Sequence, residues 1–297
     1  MRLTLGTVQF GMHYGINNLF GVPDLDRSLS IINEAVSKGI KSIDTACAYG
    51  NAEDILGISS VVLCKDVKIT SKLMPNCLDG IDAKNYKEIL VNKLKDSLMK
   101  IGVKSLDGYL LHSSRYVFDN QIIKSLSHLK EIGLVQNIGV SIYEVDEALE
   151  AAKNPLIDYI QIPYSVFDQR LENTNFFDSA KRNNKKIFAR SCFLQGLVFM
   201  KQEKIPGHLR GFIPYLDEYK KIIREYGVTV AKGCLLFSLG QKAIDSVVFG
   251  VDTIEQLREN IQNYICGDNE FVECRKKLLS GFNTIEKYIV MPSLWKK

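Results

Sequence analysis

An aspartate, a tyrosine, a lysine and a histidine each stand where an apolar, strand-like run gives out. Asp44 closes the run in KSIDTA and Tyr49 follows five residues later; Lys72 ends VKITSK, and His112 ends LDGYLLH. A phenol with the ordinary pKa of ~10 is a poor acid at neutral pH. A neighbouring ammonium lowers that value, and a carboxylate keeps the ammonium charged and in place. The phenol can then hand its proton to a carbonyl oxygen as that oxygen becomes an alkoxide, a contribution of roughly 10²–10⁴-fold. An imidazole can hold the same oxygen by a hydrogen bond. The set lacks a hydride, which no side chain supplies, so this chemistry requires a nicotinamide cofactor.

Each residue taken singly has a plainer reading. Asp44 suits a helix cap, Tyr49 a packed turn aromatic, Lys72 a solvated strand end, and His112 a structural position. The expectation of catalysis rests on the four occurring together at successive strand ends.

The elements that must position them are legible as an alternation. Strand candidates are LTLGTV from Leu3, KSIDTA from Lys41, VKITSK from Val67 and LDGYLLH from Leu106. QNIGVS from Gln136, DYIQIPY from Asp158, KKIFARS from Lys185 and DSVVFG from Asp245 complete the set. They are apolar on both sides, as in a parallel sheet buried on both faces. Amphipathic helices intervene. One carries Leu25, Leu29, Ile32 and Val36 at helical spacing, with Asp24 as N-cap and Gly39 as terminator. Another carries Leu90, Leu94, Leu98 and Ile101 before Gly102. Eight such units predict an α/β chain folded as a closed (β/α)8 TIM barrel, with a doubly wound open sheet as runner-up. No linker, repeat or low-complexity run appears, so a single domain over residues 1–297 is expected. The longest irregular stretch, CFLQGLVFMKQEKIPGHLRGFIP, follows the seventh strand.

These motifs resemble those of the aldo-keto reductases over nearly the whole chain. GTVQFG at Gly6 is similar to the family's opening strand, and DTACAYGNAE to its signature segment; SKL carries the lysine and LLHS the histidine. The resemblance implies that Asp44, Tyr49, Lys72 and His112 are the catalytic tetrad, and that Gly6 and Thr7 border the cofactor. It also implies that Ser141 in GVSIY and Gln161 in QIPYS grip the nicotinamide amide. Ile142 stands where an asparagine often follows that serine. ARSCFLQGL resembles a pattern in which an aromatic stacks on the nicotinamide; here that position is Arg190, followed by Ser191. A guanidinium can stack on a planar ring or meet a substrate anion.

GVDTIEQLREN resembles the family's adenosine-binding segment, which implies that Gln256, Glu259 and Asn260 hold the adenine. Gly250, Val251 and Asp252 replace the residues that often hold the 2′-phosphate of NADP. Asp252 is either an acceptor for ribose hydroxyls or an N-cap paired with Glu255. A carboxylate beside a phosphate is unfavourable, so among the two NAD(P)H cofactors NADH is at least as well suited as NADPH.

Substrate choice in a barrel belongs to its loops. Arg115 and Tyr116 follow His112, and Lys201, Lys204, His208 and Arg210 lie in the long seventh loop. Their functional reading is a small-molecule carbonyl substrate that is anionic, such as a phosphorylated or nucleotide-linked sugar. The segments DTACAYGNAE, QIPYSVFDQR and ARSCFLQGL resemble bacterial homologues of carbohydrate and surface-polysaccharide metabolism. Two other classes remain open: a Schiff-base lyase using Lys72, and a non-catalytic nicotinamide-binding subunit that senses redox state.

Composition narrows the rest. With 38 Lys+Arg against 34 Asp+Glu, the charge is +4 and the signs are mixed, unlike the concentrated basic face of a nucleic-acid binder. The seven cysteines are scattered, with no CxxC pair and no Cys/His cluster of zinc spacing, so no metal site is expected and the thiols read as reduced. No apolar run approaches bilayer length and none precedes the first strand, which points to a cytoplasmic protein without a membrane partner. Oligomeric state has no sequence signal.

Overall fold

The computed structural model describes residues 1–266 and 271–296. Eight parallel strands close on themselves in chain order: β1 Leu3–Gly6, β2 Ser42–Asp44, β3 Lys68–Lys72, β4 Leu106–Leu111, β5 Val135–Ser141, β6 Tyr159–Pro163, β7 Lys186–Arg190 and β8 Ser246–Phe249. Seven lie inside the run read from the sequence and β5 begins one residue before its run, at Val135; β1 pairs with β8 to complete the barrel. Strands such as β1, β6 and β8 are buried along their whole length. Helices on the outside cover one face and interior side chains fill the other, which is why these strands carry almost no polar alternation.

The helices that return the chain behave as their patterns require, with one adjustment. Asp24 caps the helix Leu25–Ser37 by accepting from the Arg27 N–H at 2.9 Å, and Gly39 follows at φ +94°, a left-handed turn suited to glycine. The buried face of this helix is Ser28, Ile31, Ile32 and Ala35, whereas Leu25 is exposed. In the helix Tyr86–Ile101, Leu90, Leu94, Leu98 and Ile101 are all buried, and Gly102 ends it at φ +73°. After β8, Thr253 rather than Asp252 caps the helix Ile254–Ile265, its hydroxyl accepting from the Gln256 N–H. Asp252 is therefore free of the capping duty its neighbours suggested.

Parallel pairing continues one step beyond several strands. Thr7 N–H donates to the Asp44 carbonyl at 3.0 Å, Thr45 N–H to Thr70 at 2.8 Å, Leu73 N–H to Leu110 at 2.8 Å and Ile142 N–H to Gln161 at 2.9 Å. The C-terminal rim of the barrel is thus fixed backbone, and side chains leaving it have little freedom to drift. Tyr49 sits on a turn beyond that rim, its N–H donating to Ala46 and its carbonyl accepting from Ala52. The turn lies directly on the helical segment Val8–Gly11. A methyl group at Gly11 would overlap the Tyr49 carbonyl oxygen, and one at Gly50 (φ +57°) would overlap the Gly11 carbonyl. Only glycine at both positions allows this approach.

Candidate active site

Lys72, at the end of β3, is entirely buried, and its ammonium is fully committed. Nζ donates to Asp44 Oδ2 at 2.6 Å, to the Thr45 carbonyl at 3.0 Å and to Tyr49 Oη at 3.3 Å. A lysine ammonium offers three donors and no acceptor. Tyr49 must therefore accept in this contact, which leaves its own O–H to point elsewhere. His112 packs edge-on against the Tyr49 ring, with centroids 5.8 Å apart and planes at 87°.

The electrostatics differ from the expectation that Lys72 acidifies the phenol. Burial, then the Asp44 carboxylate, hold the Tyr49 phenol well above the ordinary tyrosine value, with Arg190 pulling the other way. Desolvation is the largest of these influences and decides the sign. His112 is driven the other way, down to about 3, first by burial and then by the charges of Lys72 and Arg190. At neutral pH the site holds a neutral phenol beside a neutral imidazole.

The second carboxylate oxygen of Asp44 extends the network across the barrel mouth. Gln161 Nε2 donates to Asp44 Oδ1 at 2.7 Å, and Ser141 Oγ donates to Gln161 Oε1 at 3.0 Å. Asp44 thus anchors both Lys72 and Gln161, a link that sequence spacing does not announce because the two partners lie 28 and 117 residues away. Arg190, at the end of β7, reaches over to the Ile142 carbonyl at 2.8 Å and to Ser191 Oγ at 3.3 Å, and its guanidinium lies 4.5 Å from the Tyr143 ring centroid.

A groove with a cavity of about 370 Å³ runs from these residues to the end of β8, within the range of small-molecule sites. Gly6, Thr7, Asp44, Tyr49, Gln161, Arg190, Ser191, Gly250, Asp252, Gln256, Glu259 and Asn260 all border it. Ser141 stands behind Gln161, while Lys72 and His112 stand behind Tyr49. At the far end a side chain on Gly250 would strike the Gln9 amide. Asp252 takes its backbone N–H to Gln256 Oε1 at 2.8 Å, leaving carboxylate Oδ1 buried without a partner; Gln9 Oε1 is likewise unpartnered. Burial raises the Asp252 pKa, partly offset by Gln256 and His13. Two bare acceptors in a groove suit a ligand that brings hydroxyl or amide donors, so the residues present fit a dinucleotide.

Three substrate candidates lie outside this groove. Arg115 is exposed and ion-paired with Asp79, because Asp79 also accepts the Tyr116 hydroxyl at 2.7 Å and so gathers both. Tyr116 is buried, and its oxygen accepts from the Leu78 N–H, so it braces the loop after β3 rather than meeting substrate. Arg210 is exposed, and Lys201, Lys204 and His208 are also absent from the lining. The wall is built instead by Tyr14, Asn17, Leu19 and Phe20 from the loop after β1, with Phe193, Gln195 and Phe199 from the loop after β7. These two loops meet where the Ile16 N–H donates to the Gln195 carbonyl at 3.0 Å. Leu19, 76% exposed, and Phe20, 68% exposed, were the available signal: apolar side chains in a loop that no core needs.

The fold and the site define a barrel oxidoreductase, and comparison with known proteins gives the family. Residues 2–276 match the model of the aldo/keto reductase family, and the chain belongs to it. It is 28% identical to the uncharacterized oxidoreductase YqkF of Bacillus subtilis, covering 80% of this chain and 82% of that one. It is 27% identical to the NADH-specific methylglyoxal reductase of Escherichia coli, covering 88% of each. The holo form of aldo-keto reductase AKR11C1 from Bacillus halodurans superposes with a TM-score of 0.75 at 20% identity, over 98% of this chain and 95% of that one, a likeness of fold. The protein is an NAD(P)H-dependent oxidoreductase. Among the described residues no helix is long and apolar enough to cross a membrane.

Proposed function

We propose that the protein reduces a small aldehyde or ketone with NADH, Tyr49 giving the proton. The observation that carries this reading is the direction of the Lys72–Tyr49 contact: the lysine can only donate, so the phenolic hydrogen is left for an acceptor in the groove. The cofactor, when bound, supplies the hydride. As the carbonyl carbon takes the hydride, its oxygen takes the Tyr49 proton, and Lys72 3.3 Å away stabilises the phenolate left behind. Asp44 keeps Lys72 placed; His112, neutral, steadies the phenol and can offer one N–H to the same oxygen. Gln161, oriented by Ser141 behind it, would hold the nicotinamide amide, and Asp252 with Gln256, Glu259 and Asn260 the adenosine.

The acidic groups at that far end support NADH. A 2′-phosphate brings roughly −1.5 to −2 charges, and the described lining there has no cation to meet it. The E. coli relative named as an NADH-specific methylglyoxal reductase supports the same choice and suggests a small 2-oxo aldehyde as substrate. A sugar-derived carbonyl stays within the class, but the cations that favoured an anionic sugar lie outside the groove. Schiff-base chemistry at Lys72 is disfavoured, because its nitrogen is fully buried and holds three hydrogen bonds.

The test is to follow reduced-nicotinamide absorbance with both cofactors against methylglyoxal, other small carbonyls, sugars and nucleotide-linked sugars. Turnover of small carbonyls with NADH is expected. Tight NADH binding without turnover on any member would instead favour the non-catalytic sensing role.

A further inference from the structure

Arg190 is the one cation among the described residues that line the groove, and its charge is left unneutralised. Lys72 has Asp44 at 2.6 Å. Arg190 donates only to neutral oxygens, those of Ile142 and Ser191, and stacks on Tyr143; among the described residues it takes part in no ion pair. Three anchors, the Ile142 carbonyl just past β5, the Ser191 hydroxyl just past β7 and the Tyr143 ring, hold a bare guanidinium still at the reactive end of the groove. Its field is felt there: it opposes the rise of the Tyr49 and Tyr14 phenols and adds to the depression of His112. An unpaired charge in a half-buried place is costly to hold, and its field acts on whatever charge changes beside it.

The proposed reaction contains such a change. A reduced nicotinamide ring is neutral and an oxidised one carries a positive charge. If the dinucleotide lies along the groove with its adenosine against Asp252, the ring that changes charge lies at the end where Arg190 stands. We propose that Arg190 sets the site's preference for reduced over oxidised cofactor, repelling the oxidised ring while tolerating the neutral one. This rests on the dinucleotide reading of the groove. A ligand shifts a site only by its differential interaction with the two states, and here the difference is one whole charge. At the separations found within such a site, two like charges even at an effective dielectric of about 20 change a binding ratio by roughly tenfold or more. The consequence is a reductase that loads NADH in the presence of NAD⁺ and releases NAD⁺ readily after transfer, a step that often limits turnover.

The experiment titrates NADH and NAD⁺ separately into the wild type, Arg190→Gln and Arg190→Lys, reading protein fluorescence and calorimetry. Expected is tighter binding of NADH by the wild type. Arg190→Gln should tighten NAD⁺ and leave NADH nearly unchanged, lowering the affinity ratio by about tenfold or more. Arg190→Lys, which keeps the charge, should retain most of the ratio; this separates charge from shape. A ratio unchanged within about twofold in Arg190→Gln would overturn the inference. Joined with a raised KM for carboxylate-bearing carbonyls, that result would assign Arg190 to a substrate anion instead. A wild type that binds neither cofactor would overturn the dinucleotide reading itself, a different failure from an unaltered ratio.

Discussion

At the scale of single residues, the site works through what each group is unable to do. Lys72 cannot accept a hydrogen bond, so Tyr49 is left as the donor toward the groove. Burial and Asp44 keep the Tyr49 phenol protonated, and His112 does not gain a proton until about pH 3. Carbonyl reduction needs the phenol protonated. Its raised pKa keeps that form present through and beyond the ordinary tyrosine range near ~10, while the depressed imidazole stays uncharged throughout. We therefore expect kcat/KM for reduction to be flat between about pH 5 and 9. A fall centred below about pH 8 would show an acidified phenol in the working enzyme. Lys72→Met and Asp44→Asn should each remove most activity, and neither should add its full loss to that of Tyr49→Phe, because the three act as one unit. Independent, multiplying losses in the double variants would contradict that. Breaking a buried ion pair also costs about 3–5 kcal/mol, so both variants should unfold at lower denaturant concentration, whereas Tyr49→Phe should not.

At the scale of elements, much of this was readable in advance and some was not. All eight strands could be found from apolar runs, because burial on both faces writes itself directly into composition. The residues at the ends of three of those runs could be found with them: Asp44, Lys72 and His112 need only the strand's end to be placed, whereas Gln161, in mid-strand, and Arg190 were legible only through the family resemblance. Loops gave no such handle. Arg115 and Arg210 looked functional by type and position, yet one is claimed by Asp79 and the other is exposed on the short 3₁₀ helix Gly207–Phe212. Tyr14, Leu19 and Phe20 went unnoticed because nothing periodic marks a loop that folds back over a groove. The contact between Gly11 and the Tyr49 turn was also hidden, since it joins two backbones rather than two side chains. It carries its own expectation. Gly11→Ala should cost roughly 1–3 kcal/mol by overpacking, read as a lowered denaturation midpoint. It should also reduce kcat more than it weakens NADH binding, because the displaced group is the Tyr49 turn. A variant with full activity and stability would mean that the two segments are not held together in solution.

At the scale of the whole molecule, the proposed function uses opposite ends of one groove: proton donation would fall at the Tyr49 end and adenosine recognition beyond β8. Choice of cofactor belongs to the second. Arg258, the cation in that helix best placed to reach a 2′-phosphate, is instead held by Glu34 through two contacts, Nε at 2.6 Å and Nη2 at 2.9 Å. Arg258→Ala should leave the ratio of NADH to NADPH affinities unchanged, while Asp252→Ser should move it toward NADPH by removing a repulsion. Fluorescence titration of both cofactors checks this, and a strong NADPH preference lost in Arg258→Ala would show that the Glu34 pair opens to bind the phosphate.

The central claim, that Tyr49 protonates a carbonyl reduced by NADH, is tested most directly by a single turnover. Enzyme preloaded with NADH is mixed with methylglyoxal, and loss of reduced-nicotinamide absorbance is followed for the wild type and Tyr49→Phe. The account predicts one rapid equivalent of NADH oxidised by the wild type. It predicts a rate at least about 10²-fold lower in Tyr49→Phe, with NADH affinity nearly the same. Oxidation by Tyr49→Phe at close to the wild-type rate would contradict it.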